Sequence, residues 1–266
     1  MELGLKDKVA LVTGASKGIG LAIAKSLAAE GTHVVISARG TDELEQAAQE
    51  IRTDGGSVYA IAADVTQPDQ VKRLVEQTVT QYGTIHILVN NAGGIGGFLP
   101  FDALSDEDWQ SVIDLNLMST VRVTRAALPY MQQQQWGRII NMSSESGVQP
   151  DPLMPHYNAT KAAIINLTKS LSKAYGKDNI LVNVVSPAFI RTPLVKEMMT
   201  SRAQEKGLTV SEAEADFLKE NRPNIVLGRA GEIDEVAAVA VFLASEAASF
   251  VTGSNYRVDG GSVASL

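Results

Sequence analysis

Thr13-Gly14-Ala15-Ser16-Lys17-Gly18-Ile19-Gly20 is the stretch whose reading decides the fold. The apolar run Val9 to Val12 leads into it, and Leu21 to Ala28, with helical character, leads out. A strand, a glycine turn and a helix in that order form a phosphate-binding corner. Glycines let the backbone pass close to a pyrophosphate, and the first free N–H groups of the helix point at the anion. The spacing is Gly-x-x-x-Gly-x-Gly rather than the Gly-x-Gly-x-x-Gly of the usual dinucleotide fingerprint. No Gly-Lys-Ser/Thr ends it, so it is not a Walker A loop.

Outward from this turn, apolar runs and helical patterns alternate along the chain. The expected strands are Val9–Thr13, His33–Ala38, Ser57–Ala62, Ile85–Asn90, Arg138–Met142, Ile180–Val185 and a last one near Tyr256–Val258. Several are unbroken runs of Val, Ile, Leu and Ala, as in strands buried on both faces. Alternating strands and helices imply βαβ units and a parallel sheet. No low-complexity tract or Pro-rich linker divides the 266 residues, so one domain spanning 1–266 is expected.

Composition removes whole classes of function. The chain has no cysteine, which excludes disulfides, thiol nucleophiles and thiolate metal sites. His33, His86 and His156 show no metal-ligand spacing, so no metal is expected. A formal charge of −7 argues against a nucleic-acid partner, and any site for an anionic cofactor must be locally basic. The charged start, Met1 to Lys8, lacks an apolar core of a signal peptide, and no run approaches about 18 apolar residues. A cytoplasmic protein without a membrane span is therefore the expectation.

Chemistry-bearing residues gather at the expected strand ends. The second strand ends in Ala38-Arg39-Gly40, where an acid would select NAD through the ribose hydroxyls and an Arg suits a 2′-phosphate. Arg39, with Lys17 as a second cation, favours NADP(H) over NAD(H). Asp64, followed by Val65, either caps the next helix or accepts from an adenine amino group. The fourth strand runs into Asn90-Asn91-Ala92-Gly93-Gly94, small residues that leave a crevice or a flexible loop. Ser105 followed by Asp108 marks a helix start, and that helix is expected to continue through Asn116 to Met131. Asn116 lies in an apolar stretch, so it has a structural or a water-holding role. Ser143-Ser144-Glu145-Ser146 closes the fifth strand. Next, Tyr157 and Lys161 sit one helical turn apart. A free phenol has a pKa of about 10, and a nearby ammonium makes it usable as an acid/base near neutrality.

Together these residues resemble the short-chain dehydrogenase/reductase family, over roughly residues 5–194 and 226–262. The family's Thr-Gly-x-x-x-Gly-x-Gly matches Thr13 to Gly20, and its Asn-Asn-Ala-Gly matches Asn90 to Gly93. Its helix asparagine matches Asn116, its serine Ser144, and its Tyr-x-x-x-Lys Tyr157 and Lys161. Ser144 is preferred to Ser143 and Ser146 because the family's serine precedes the tyrosine by thirteen positions. Ser186 to Pro193 resembles the turn that closes over the nicotinamide, with Ala188 in place of the usual Gly. Val251-Thr252-Gly253 and Val258 to Gly261 resemble the C-terminal signature.

The resemblance implies an α/β Rossmann fold, a doubly wound seven-stranded parallel sheet with helices on both faces and a small helical substrate lid at about 194–227. It implies an oxidoreductase moving a hydride between NADP(H) and a carbonyl or secondary alcohol, similar to 3-oxoacyl-carrier-protein reductases and carbonyl reductases. The substrate would be a 3-oxoacyl thioester or a medium-sized apolar ketone. Tyr157 would give the proton, Lys161 would lower its pKa and hold the ribose, Ser144 would polarise the substrate oxygen, and Asn116 would hold a water. Cofactor contacts are implied for Gly14, Ser16, Lys17, Gly18, Ile19, Gly20, Arg39, Asp64, Val65, Asn90, Ala92, Gly93, Tyr157, Lys161, Pro187, Ile190 and Thr192. Met198, Met199, Phe217 and Leu218 are expected either to wall an apolar pocket or to pack on the body, with Phe98, Val148, Leu153 and Met154 as further walls. Arg191, Lys196 and Arg202 are the cations nearest the lid. A homotetramer is implied. An NAD-dependent alcohol dehydrogenase with the same site, and a non-catalytic NADP-sensing relative, are the competing readings.

Overall fold

The computed structural model describes residues 2–264; Met1, Ser265 and Leu266, which the expected domain includes, lie outside the described residues. β1 (Val9–Thr13) runs into α1 (Gly18–Ala29), β2 (His33–Ala38) into α2 (Thr41–Thr53), and β3 (Val58–Ala62) into α3 (Pro68–Tyr82). After β4 (Ile87–Asn90) come α4 (Asp106–Val112), a π-helical turn at Ile113–Met118 and α5 (Ser119–Gln133). β5 (Gly137–Met142) leads to α6 (Pro155–Tyr175). β6 (Ile180–Pro187) is followed by α7 (Pro193–Lys206), α8 (Val210–Asn221), α9 (Ile233–Ala244) and β7 (Asn255–Val258).

The strands form one seven-stranded parallel sheet in the order β3-β2-β1-β4-β5-β6-β7. The unbroken apolar runs explain the parallel register: Leu11 pairs with Val35 on one side and Leu88 on the other, and all three are fully buried. Burying such a side chain contributes about 1.5–3 kcal/mol. On one face Ile23, Leu27, Leu44, Ile51 and Val236 of α1, α2 and α9 pack on the even positions of β1, Ala10 and Val12. On the other, Val71, Leu74, Val123 and Met131 of α3 and α5 pack on Leu11 and Leu88. The order reverses between β1 and β4, and in open α/β sheets ligands bind outside the carboxyl ends of the strands at such a point.

Two expectations change. The helix from Ser105 does not continue evenly. Its start is capped as expected, with Ser105 Oγ accepting from Asp108 N at 3.2 Å, but a π turn interrupts it at Ile113–Met118, around Asn116. Asp64 is not the cap of α3, which begins at Pro68 behind Gln67; Asp64 Oδ1 instead accepts from Thr66 N and Thr66 Oγ1 at 2.9 and 2.8 Å. The excursion between β6 and α9 contains two helices. It leaves and rejoins the body at a parallel bridge between Ile190 and Gly231. No described helix is long and apolar enough to cross a membrane.

Candidate active site

The glycine corner carries donors with no acceptor of their own. Lys17 occupies the cap position of α1 without a capping side chain. The first N–H groups of that helix therefore have no intrahelical partner, and they face the switch point. Gly14 and Gly18 both have positive φ, 63° and 60°, a region that side chains other than glycine rarely adopt. Space, rather than torsion, explains Gly20: a Cβ there would run into the Asn91 amide and the Gly14 carbonyl. Asn91 locks this corner, with Nδ2 donating to Thr13 O and Gly14 O at 3.0 and 2.9 Å. Sequence reasoning singled out Asn90 and passed over Asn91, though the Asn-Asn doublet was in view. The Asn90 side chain points away, donating to Thr124 Oγ1 and Asn141 Oδ1 within the core.

The remaining cofactor candidates divide. Ile19, Pro187, Ile190 and Thr192 line one cavity with Ser144 and Tyr157. A Cβ built on Gly18 would lie 3.6 Å from Pro193 Cδ and 3.9 Å from Thr192 Cβ, so the turn after β6 stands against the glycine corner. Thr192 also caps α7, accepting from Val195 N at 3.3 Å. Val65 turns its side chain into the core beneath α3, leaving only its backbone toward the crevice side. Arg39 is exposed at the end of β2, and Lys17 is exposed but ion-paired to Glu43 at 3.1 Å. Ser16 and Ala92 are half-buried, and Ala92 N donates to Thr13 Oγ1 at 3.1 Å. A glycine-lined corner with free donors and two flanking cations fits an anionic dinucleotide.

Around α6 the polar candidates meet. Pro155 occupies the first turn of α6, and Ser143 Oγ donates to Lys161 O at 2.8 Å, tying the helix to the end of β5. That bond removes Ser143 from the contest. Ser144 Oγ accepts from Ser146 N at 3.2 Å and lines the same cavity as Tyr157. Lys161 is buried; its Nζ donates to Met142 O at 2.9 Å and lies 5.5 Å from the centre of the Tyr157 ring. Asn116 is fully buried. Its Oδ1 accepts from Gly94 N and its Nδ2 donates to Gly94 O, both at 2.9 Å, and it also reaches Thr160 Oγ1 at 3.2 Å. It fixes the loop after β4 at the approach to Lys161: a Cβ on Gly93 would stand 2.8 Å from Asn116 Oδ1 and 3.4 Å from Lys161 Nζ.

Burial pushes the Tyr157 phenol above its ordinary value; the nearby Ser144 hydroxyl works against that shift, and Glu145 adds to it. The Lys161 ammonium stands behind the ring, where its Nζ is held by the Met142 carbonyl. Burial also lowers Lys161 to about 8, since the charged form loses solvent.

A cavity of about 700 Å³ opens beside Ser144 and Tyr157. Phe98, Met154, Met198 and Phe217 line it, whereas Val148 and Leu153 are on the exposed surface. Met199 and Leu218 pack inward with Phe189, Ile225 and Ala230 as a small core of the excursion. Arg191 is held by Glu214 at 2.6 Å and by Glu232, and Arg202 by Asp216 at 2.7 Å and by Glu220. Neither offers a free charge to the cavity. Glu145 and Arg222, which the sequence did not single out, line it together with Glu197 and Ser201. Two isolated charges in loops carry no pattern that would have revealed them.

Comparisons with known proteins agree with this geometry. The short chain dehydrogenase family model matches residues 8–203. The chain is 39% identical over 263 residues to the 3-oxoacyl-[acyl-carrier-protein] reductase of Thermotoga maritima, covering 97% of this chain and 99% of that protein. It is 38% identical over 266 residues to the oxidoreductase YvrD of Bacillus subtilis, with both chains fully covered. Among solved structures, L-sorbose reductase from Gluconobacter frateurii, complexed with NADPH and L-sorbose, superposes with a TM-score of 0.95 at 38% identity over the whole of both chains.

Proposed function

The chain belongs to the short-chain dehydrogenase family, and we propose that it is an NADP(H)-dependent carbonyl reductase in which Tyr157 is the proton donor. The observation that carries this reading is that Tyr157 and Ser144 line the same large cavity, with the buried Lys161 Nζ 5.5 Å from the centre of the Tyr157 ring. The NADPH bound by the L-sorbose reductase relative, together with Lys17 and Arg39 here, supports the choice of nucleotide.

The α1 donors and the corner at Gly14, Gly18 and Gly20 would hold the pyrophosphate, and Arg39 with Lys17 the 2′-phosphate. Asp64, Val65, Asn90, Ala92 and Gly93 would flank the adenosine and ribose through backbone and carboxylate groups. Pro187, Ile190 and Thr192 would flank the nicotinamide. Bound NADPH supplies the hydride for the carbonyl carbon. Ser144 donates a hydrogen bond to the substrate oxygen, where negative charge develops. Tyr157, kept neutral by burial, releases the proton that completes the alcohol. Lys161 holds positive charge behind the ring and stabilises the phenolate that remains. Asn116 keeps the Gly93–Gly94 backbone in place, so the approach to Lys161 stays open. The 193–221 helices act as a lid on the cavity and exclude water. The whole chain acts as one catalytic domain, assembled as a homotetramer.

The test is NADPH oxidation, followed by absorbance, against a panel of 3-oxoacyl thioesters, cyclic ketones and open-chain ketones. Turnover that requires NADPH is expected. NADPH binding without turnover anywhere in the panel would favour the sensing relative, and equal use of NADH would overturn the nucleotide assignment.

A further inference from the structure

One wall of the cavity is unlike the rest. Glu145 follows Ser144 directly and is 6% exposed, yet its Oε2 has no hydrogen-bond partner. The carboxylate is not adequately served from within: the Arg222 Nε stands 3.6 Å from Oε1, beyond hydrogen-bond length. A buried acceptor left unmade is costly, and sites that keep one commonly use it for a ligand. Arg222 lies just beyond the end of α8 and lines both the main cavity and an outer pocket of about 200 Å³ that shares Glu145 and Ser146 with it. Its guanidinium is held by Asp151 at 3.2 Å and by the Asn221 carbonyl at 2.8 Å. Glu145 is set in a short 3-10 turn that Ser144 caps.

The charge balance of this wall is negative. Arg222 is shared between Glu145 and Asp151, the latter at 3.2 Å, and Asp259 adds a further negative field at Glu145. A substrate carboxylate would meet more anions than cations here. An alkyl end would leave the Glu145 carboxylate and the Arg222 guanidinium without a partner on the cavity side. A neutral hydroxyl satisfies both groups, donating to the carboxylate and accepting from the guanidinium.

Resting on the reductase reading above, we propose that Glu145 and Arg222 form a hydroxyl-recognising end of the cavity and select neutral hydroxyketones over plain ketones and keto acids. Ser144 and Tyr157 take the carbonyl oxygen, and the adjacent Glu145 takes a hydroxyl further along the same molecule.

The experiment compares kcat/KM for 1-hydroxy-2-butanone, 4-hydroxy-2-butanone and 5-hydroxy-2-pentanone with the analogues in which methyl replaces hydroxyl, and with 2-oxobutanoate. NADPH is the reductant throughout, and the wild type is run beside Glu145→Gln and Glu145→Ala. The best-placed hydroxyl is expected to favour its ketone about 10–100-fold over the methyl analogue in the wild type. That ratio should collapse toward one in Glu145→Ala and fall partway in Glu145→Gln, whose amide keeps one acceptor. NADPH fluorescence and far-UV circular dichroism report whether each variant is folded. A wild type that reduces ketones with no preference for any hydroxyl, or that favours 2-oxobutanoate, would overturn the inference alone. So would a ratio unchanged in a folded Glu145→Ala. No turnover with any carbonyl would overturn the reductase reading, and this inference with it.

Discussion

The glycine corner and the helical excursion both border one cavity, and they are built on different principles. The corner is backbone: Gly14 and Gly20 leave no room for a side chain, Gly18 holds a positive φ, Asn91 stitches the turn to β4, and the fully buried strands β1 and β4 lie beneath. The excursion is side chain. α7 and α8 share a small apolar core around Met199 and Leu218, and outside it Arg202 and Lys206 face Asp216 and Glu220. Exposed ion pairs of this kind contribute little each, so the few buried side chains carry the stability of this segment. The contrast teaches that this fold holds its nucleotide side rigid and leaves its substrate side to a segment that opens more easily.

The sharpest way to break that comparison is Gly20→Val. The new side chain has nowhere to go, so we expect a loss of about 3 kcal/mol in thermal or urea unfolding and no measurable NADPH binding by fluorescence. Wild-type binding would show that the corner is looser than described. Met199→Ala probes the other side. A loss of about 2–4 kcal/mol is expected, but confined: amide exchange should accelerate across 193–221 while β1 and β4 stay protected. Uniform acceleration across the molecule would contradict two regions of different stability.

Charge changes have smaller effects. Arg39→Asp should lower the NADPH-to-NADH ratio of kcat/KM about 10-fold or more, because an acid there repels a 2′-phosphate and suits ribose hydroxyls. An unchanged ratio would move the phosphate site elsewhere. The pH profile is subtler. Below about 8 Lys161 carries its charge; above it the charge is lost, while the Tyr157 phenol, held above its ordinary value, keeps its proton. Reduction should therefore decline several-fold as pH rises through about 8, a limb in kcat/KM that reports the free enzyme. A level profile to pH 10 would contradict a charged Lys161 acting behind the ring.

The same two regions differ in how far they could be read from sequence. Continuous apolar runs located β1, β4 and most of β2 and β6 to within two or three residues, because a strand buried on both faces has little other composition available. The glycines and the Tyr157–Lys161 pair were legible because backbone clearance and helical spacing are local properties, whereas Ser144 was distinguished from its neighbours only by the family resemblance. Long-range partners were not. The inward turn of the Asn90 side chain depends on Thr124 and Asn141, and the π turn at Asn116 on a loop 22 positions earlier. The Glu145–Arg222 wall joins residues 77 positions apart, drawn together only when the excursion folds over the cavity.

The central claim is that the Tyr157 hydroxyl delivers the proton. Tyr157→Phe removes that oxygen and keeps the ring against Lys161. We predict a loss of carbonyl reduction of about 10²–10⁴-fold in kcat, with NADPH binding by fluorescence within a few-fold of wild type. A Phe variant that reduces the same ketone at near wild-type rate would contradict the account.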